Sequence, residues 1–243
     1  MEIEKKMSDK RILMLSSSRS HDEDYLEGAK HRILPFLDDI KSVLFVPYAG
    51  VTMSWDEYTD KVQQALPALN VTGIHTFADP IEAVQSADAI LVGGGNTFNL
   101  LYQLQVQQIL PAIQDVVQRG CPYIGWSAGS NICGLSIKTT NDMPIIEPQS
   151  FAAMGFLPIQ LNPHYSDYQP PGHNGETRAQ RITEFCVLNP TTPVVGIREG
   201  SALLYQNGIL SLIGEHKAVV FLGKTVTEIS KDDDLANLLT QQN

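Results

Sequence analysis

Cysteine is scarce in this 243-residue chain, which holds only Cys121, Cys133 and Cys186. An odd number without a C-x-x-C spacing excludes a disulfide framework and a zinc knuckle, and it fits a reducing, cytoplasmic compartment. Cys121 and Cys133 stand in apolar surroundings and read as inert thiols. Basic residues are also in short supply, 17 Lys and Arg against 27 Asp and Glu, for a formal net charge of −10. That balance argues against nucleic acid or an anionic membrane as the main partner. No apolar run approaches the roughly 18 residues a membrane span needs. The opening Met1-Glu-Ile-Glu-Lys-Lys lacks the apolar core of a secretory signal. There is no His-Glu-x-x-His and no Cys/His cluster, so neither a metal nor another cofactor is expected.

What is present is the composition of a folded protein, 43% hydrophobic, at a length that suits one α/β domain over residues 1–243. Residues 1–9 read as a loose extension. Apolar runs at 12–15, 43–46, 73–76, 89–92, 123–125, 159–161 and 194–197 read as strands. Helical stretches near 23–37, 55–66, 81–84, 98–119 and 177–187 alternate with them. This order predicts a mostly parallel sheet with helices on both faces. Asn207-Gly208 between apolar runs is a hairpin signal, so residues 201–223 should add a small antiparallel extension. A short helix at 235–239 closes the chain.

Gly125-Trp-Ser-Ala-Gly129 carries the most chemical information. A G-x-S-x-G run between a strand and a helix reads as a nucleophile elbow, a sharp turn that lifts the Ser127 hydroxyl above the sheet. One helix earlier, Gly93-Gly-Gly95 follows Ile-Leu-Val but lacks the Lys-Ser/Thr ending of a phosphate loop. Such a turn presents backbone N–H groups to an oxyanion instead, and Gly94, Gly95 and Ala128 are the candidate donors. A serine hydroxyl needs a base. Of six histidines, His164 stands at a strand's carboxyl end behind Pro163. His173 in a Pro- and Gly-rich loop is a weaker competitor, while His21, His31, His75 and His216 fall in charged or strand segments. The base in turn needs a carboxylate, and Asp142 and Glu199 both qualify. Thr177 and Gln180 fit a capping box, which sets Arg178 at a helix start where a guanidinium can receive a carboxylate.

These segments together resemble the peptidase E family, α-aspartyl dipeptidases that are serine peptidases distantly similar to cyanophycinase. The resemblance spans roughly residues 11–200. It rests on Pro47-Tyr-Ala-Gly-Val, Trp55-Asp-Glu-Tyr-Thr-Asp-Lys, Val92-Gly-Gly-Gly-Asn-Thr-Phe, Ile124-Gly-Trp-Ser-Ala-Gly, Thr139-Thr-Asn-Asp-Met-Pro-Ile, Asn162-Pro-His and Gly172-His-Asn-Gly-Glu-Thr-Arg. It implies a flavodoxin-like α/β fold, similar to class I glutamine amidotransferases. It also implies hydrolysis of Asp-X dipeptides through an aspartyl-enzyme ester. Residue by residue, it implies Ser127 as nucleophile, His164 as base and Asp142 as the third member of the triad. Glu199 remains an alternative, otherwise on the substrate side, and Arg178 is implied to bind the aspartyl side chain. The expected partner is a small peptide, and the assembly a monomer or a homodimer. An esterase would also use G-x-S-x-G, although a histidine 37 residues after the serine suits the α/β-hydrolase order poorly. A non-enzymatic anion-binding protein is the third reading.

Overall fold

The computed structural model describes residues 10–20, 22–172 and 174–240. The expectations for residues 1–9, His21 and His173 lie outside the described residues. The fold is mixed α/β, with a large, mostly parallel sheet flanked by helices. Eleven strands are described: β1 Ile12–Leu15, β2 Ser42–Val46, β3 Asn70–Gly73, β4 Ile90–Val92, β5 Tyr123–Trp126, β6 Gln160–Asn162, β7 Val194–Gly196, β8 Ser201–Gln206, β9 Ile209–Gly214, β10 Ala218–Leu222 and β11 Thr225–Ile229. The helices are α1 Lys30–Leu37, α2 Trp55–Ala65, α3 Pro80–Gln85, α4 Thr97–Val106, α5 Leu110–Gln118, α6 Ala128–Asn131 and α7 Arg178–Leu188.

The main sheet runs β3-β2-β4-β5-β1-β8-β9. Its first five strands are parallel, and β8 and β9 join antiparallel. Alternation divides each central strand between two cores, as strands buried on both faces require. Ile12 and Met14 of β1 face a core shared with α3, α4 and α5, and Leu13 and Leu15 face the one shared with α1 and α2. Among the described residues no helix is long and apolar enough to cross a membrane.

The second sheet, β11-β10-β7-β6, departs from the expected single sheet. The C-terminal extension is split: β8 and β9 complete the main sheet, while β10 and β11 pair with β7. Four residues separate β7 from β8 (Ile197 to Gly200), so the chain steps between sheets there. The Asn207-Gly208 turn forms as expected, with φ of 54° and 77° at its two residues.

Three boundaries differ from the pattern reading. Of the segment 73–76, Ile74–Thr76 is a 3-10 turn, and the strand is displaced to Asn70–Gly73 by pairing with β2. The helix at 98–119 is two helices, broken where Gln108 takes φ 57° and Pro111 begins a new first turn. The helix at 23–37 starts later, behind Leu26 at φ 59°.

Tight backbone packing brings the β4 and β5 ends together. A Cβ on Gly129 would stand 2.2 Å from the Val92 carbonyl oxygen, and one on Gly125 would stand 2.2 Å from Gly129's. Gly129→Ala must therefore push two backbone segments apart. It should lower stability by about 1–3 kcal/mol or more, read as a reduced chemical-denaturation midpoint. An unchanged midpoint would refute this close-packing account.

Candidate active site

The carboxyl ends of β2, β4 and β5 open onto one cleft of about 740 Å³, the position where open parallel sheets collect ligands. Ser127 follows β5 directly and turns the chain into α6 with φ 53° and ψ −113°. The serine itself, not its flanking glycines, takes the positive φ, and the glycines provide the close approach just described. Ser127 N–H donates to Leu15 O at 3.2 Å. Ser130 braces the turn, its hydroxyl 2.6 Å from Leu15 O and 2.8 Å from Gly125 O.

His164 follows β6 and so comes from the other sheet. Its Nε2 lies 2.9 Å from Ser127 Oγ, and its Nδ1 lies 2.6 Å from Glu199 Oε1. Glu199 belongs to the step between β7 and β8. The His164 and Glu199 side chains are 37% and 50% exposed, so the pair is reachable from solvent.

Of the two candidate acids, the structure brings Glu199 and not Asp142 to the imidazole. Asp142 Oδ2 accepts from Thr97 N–H at 2.7 Å and from Thr97 Oγ1 at 2.5 Å, with Thr140 Oγ1 at 3.1 Å. The carboxylate is engaged at the first turn of α4, where free N–H groups and the helix dipole favour an anion. The Asn96 side chain caps the same helix by accepting from Asn99 N–H at 3.0 Å, and it donates to Met143 O at 2.9 Å. Asp142 thus fastens its loop to α4, and the acid at the imidazole is Glu199. Position in sequence misled here: both carboxylates sit in loops near strand ends, and only the second sheet decides which one meets Nδ1.

Four contacts draw the two sheets together. The Ser16 hydroxyl, fully buried, donates to Ile197 O at 2.7 Å and accepts from His164 N–H at 2.9 Å. Asn131 of α6 donates to Leu161 O of β6 at 2.7 Å. Arg32 donates to Gly200 O at 3.0 Å, beside Glu199. Pattern reading singled out neither Ser16 nor Asn131. The available signal was a polar residue directly after a fully apolar strand, at the end where sites form.

Arg178 opens α7 behind the capping box of Thr177 and Gln180, as expected. It lines the same cleft as Ser127, Asp142 and His164. Its Nη1 is buried with no hydrogen-bond partner. Burial pushes its pKa below the ordinary value; Glu199 and Asp142 pull it back up, and Arg181 opposes them. Gly94, Gly95 and Ala128 line the same cleft as Ser127. The thiols play no part here: burial pushes Cys121 up to about 11 and Cys133 higher still.

A family model described as Peptidase family S51 matches residues 12–213. Peptidase E of Shewanella amazonensis is 53% identical over 94% of this chain and 99% of its own length. Peptidase E of Shewanella denitrificans is 56% identical over 87% of this chain and 91% of its own. Among solved structures, a putative peptidase E from Listeria monocytogenes covers 85% of this chain and 99% of its own, with TM-score 0.65 and 22% identity. A peptidase from an acI-B1 actinobacterium covers 94% and 97%, with TM-score 0.68 and 17% identity. At those identities the two structures speak for the fold alone.

If Asp142 fastens the 140–143 loop, Asp142→Ala strands the Thr97 N–H and hydroxyl. Stability should fall by roughly 1–3 kcal/mol, measured by denaturant titration. A variant as stable as the parent would show that the anchor carries no weight.

Proposed function

The chain belongs to peptidase family S51, and from that premise we propose that it hydrolyses Asp-X dipeptides, with Ser127 as nucleophile, His164 as general base and Glu199 as the acid behind the imidazole. The observation that carries this reading is the continuous hydrogen-bonded line from Ser127 Oγ through His164 to Glu199, on the wall of a cleft that also holds Arg178. A carboxylate at Nδ1 keeps the proton on that nitrogen, leaving Nε2 as the base, and then stabilises the imidazolium. The serine attacks the carbonyl between aspartate and the next residue. Ala128 N–H and an N–H of the glycine turn receive the oxyanion, each such donor worth about 2.7–4 kcal/mol to the transition state. His164 gives its proton to the leaving amine, and water, deprotonated by the same imidazole, releases aspartate from the ester.

Selectivity for aspartate follows from charge. The guanidinium of Arg178 has a buried nitrogen without an acceptor, and a substrate carboxylate supplies one. A neutral side chain leaves that nitrogen unpaired, which is the strongest form of rejection a polar site has. Asp142 receives its three contacts on Oδ2, which leaves Oδ1 for the substrate's α-ammonium. A zwitterionic dipeptide terminus thus meets a cation and an anion at the positions of its own two charges.

A dipeptide panel varying the first residue, run with a chelator present, tests the substrate. Asp-X should be cleaved far faster than Asn-X or Glu-X, and Ser127→Ala should abolish turnover without loss of fold. Equal rates on Asp-X and Asn-X would remove the substrate assignment.

Glu199→Gln should lower kcat by up to about ten-thousand-fold, while Asp142→Asn should act mainly on KM. The reverse ranking in kcat would return the acid's role to Asp142. Arg178→Met should erase most of the Asp-X over Asn-X preference in kcat/KM, and a preserved ratio would release Arg178 from that role.

A further inference from the structure

We infer that Tyr58 is the positioning residue of the oxyanion site, holding the Gly94 carbonyl so that Gly95 N–H, not Gly94 N–H, joins Ala128 N–H at the developing charge. This inference rests on the serine-peptidase reading above and adds a residue that the reading does not use.

Tyr58 lies one residue past the capping box of α2, where Ser54 and Glu57 bond reciprocally, so its departure point from the helix is fixed. The residue is 5% exposed. Its ring stands edge-on to Phe45 at 5.0 Å, and Phe45 stacks on Trp126 at 5.8 Å. The hydroxyl donates to Gly94 O at 2.9 Å. It accepts from Trp126 Nε1 at 3.3 Å and from Tyr25 OH at 3.2 Å. One proton and two lone pairs are all in use, the full capacity of a phenol. Burial raises the Tyr58 pKa above its ordinary value, which favours the neutral phenol as a donor.

Those bonds tie the residue just before the nucleophile to the glycine turn that faces it. A Cβ on Gly94 would stand 2.9 Å from Ser127 Cβ, and a Cβ on Gly93 would stand 2.6 Å from the Tyr58 oxygen. The glycine run therefore makes room for the serine on one side and for the phenol on the other. Its flanks are pinned: Gly93 N–H donates to Val46 O at 3.1 Å and Asn96 N–H to Ala49 O at 2.8 Å. The Gly94–Gly95 peptide between them has no side chain at either end to fix its plane. In a trans peptide the C=O and the following N–H point in opposite directions. Fixing Gly94 O on Tyr58 thus aims Gly95 N–H away from the phenol. A flipped peptide would turn a carbonyl oxygen toward the site and repel the anion it has to receive.

Tyr58→Phe keeps the ring and deletes the bond. Expected is a 10–100-fold lower kcat with KM within about twofold, since the substrate's ground-state carbonyl needs the donor less than the oxyanion does. The rate of Ser127 phosphonylation by an organophosphonofluoridate should fall in the same proportion. The affinity for L-aspartate, which forms no tetrahedral centre, should hold within twofold. Phe45→Leu serves as the comparison for general loosening: it removes ring packing against Tyr58 but leaves the phenol hydroxyl on Gly94. Its melting temperature should drop at least as far as that of Tyr58→Phe, with kcat within about threefold of the parent.

Wild-type kcat and phosphonylation rates in Tyr58→Phe would overturn the inference, as would equal losses of kcat in both variants. The phosphonylation comparison decides on Tyr58 even if Asp-X dipeptides prove not to be the substrates, because it needs only a reactive serine.

Discussion

A single buried hydroxyl, that of Ser16, joins the two halves of the reacting pair. Ser127 is delivered by the main sheet and His164 by the second one, so no one sheet can set their separation. Ser16 sits at the end of β1, next to β5 in the main sheet, and bonds both to His164 N–H and to Ile197 O. The first contact locates the imidazole, and the second locates the step of chain that carries Glu199. Arg32 on Gly200 O and Asn131 on Leu161 O close the same seam from either side. Each bond contributes only about a kilocalorie per mole net. Their importance is geometric: they hold two sheet ends so that Nε2 and Oγ meet at 2.9 Å.

How far the sequence reveals this depends on whether a feature is local. The elbow at Ser127, the capping box before Arg178 and the hairpin at Asn207-Gly208 are set within a few residues, and each is readable from its neighbours. The strands at 12–15 and 90–92 are equally plain, because strands buried on both faces read as short unbroken apolar runs. The identity of the third acid is different. Asp142 and Glu199 are both loop carboxylates near strand ends, and their roles separate only when β6 and β7 leave the main sheet for a second one. Nothing in the spacing of β6 to β11 announces that division, since short apolar strands look alike in either sheet. Tyr58 was visible as part of Trp55-Asp-Glu-Tyr-Thr-Asp-Lys, yet its role depends on a glycine carbonyl 36 residues away.

Arg178 brings a positive charge to the wall of the cleft in a chain of the opposite net sign. A protein with net charge −10 repels acidic ligands at long range, although at physiological ionic strength screening confines that field to about 8 Å. The recognition proposed for an acidic substrate must therefore be local, and Arg178 is suited to it. Its guanidinium is partly desolvated, which disfavours an unpaired charge, and the carboxylates that favour it, Glu199 and Asp142, are themselves occupied with His164 and with α4. In the proposed reading, a substrate carboxylate completes the charge balance at Arg178 while Glu199 and Asp142 keep these partners.

Two of the positive-φ non-glycine residues among those described meet in the cleft. Ser127 and His164 both have positive φ, 53° and 56°, a region that costs non-glycine residues of order 1–3 kcal/mol each. Neither would hold such a conformation alone. Around Ser127 the restraint comes from Ser130, which bonds across the turn to Leu15 O and Gly125 O. Around His164 it comes from Ser16 on its N–H and from Tyr165 N–H on Ile197 O at 3.0 Å. The two strained residues share the segment from Leu15 to Ser16 as their support. Relaxing either backbone would rotate its side chain away from the other, so the cost borne by the fold and the alignment of the hydroxyl with the imidazole have the same structural origin.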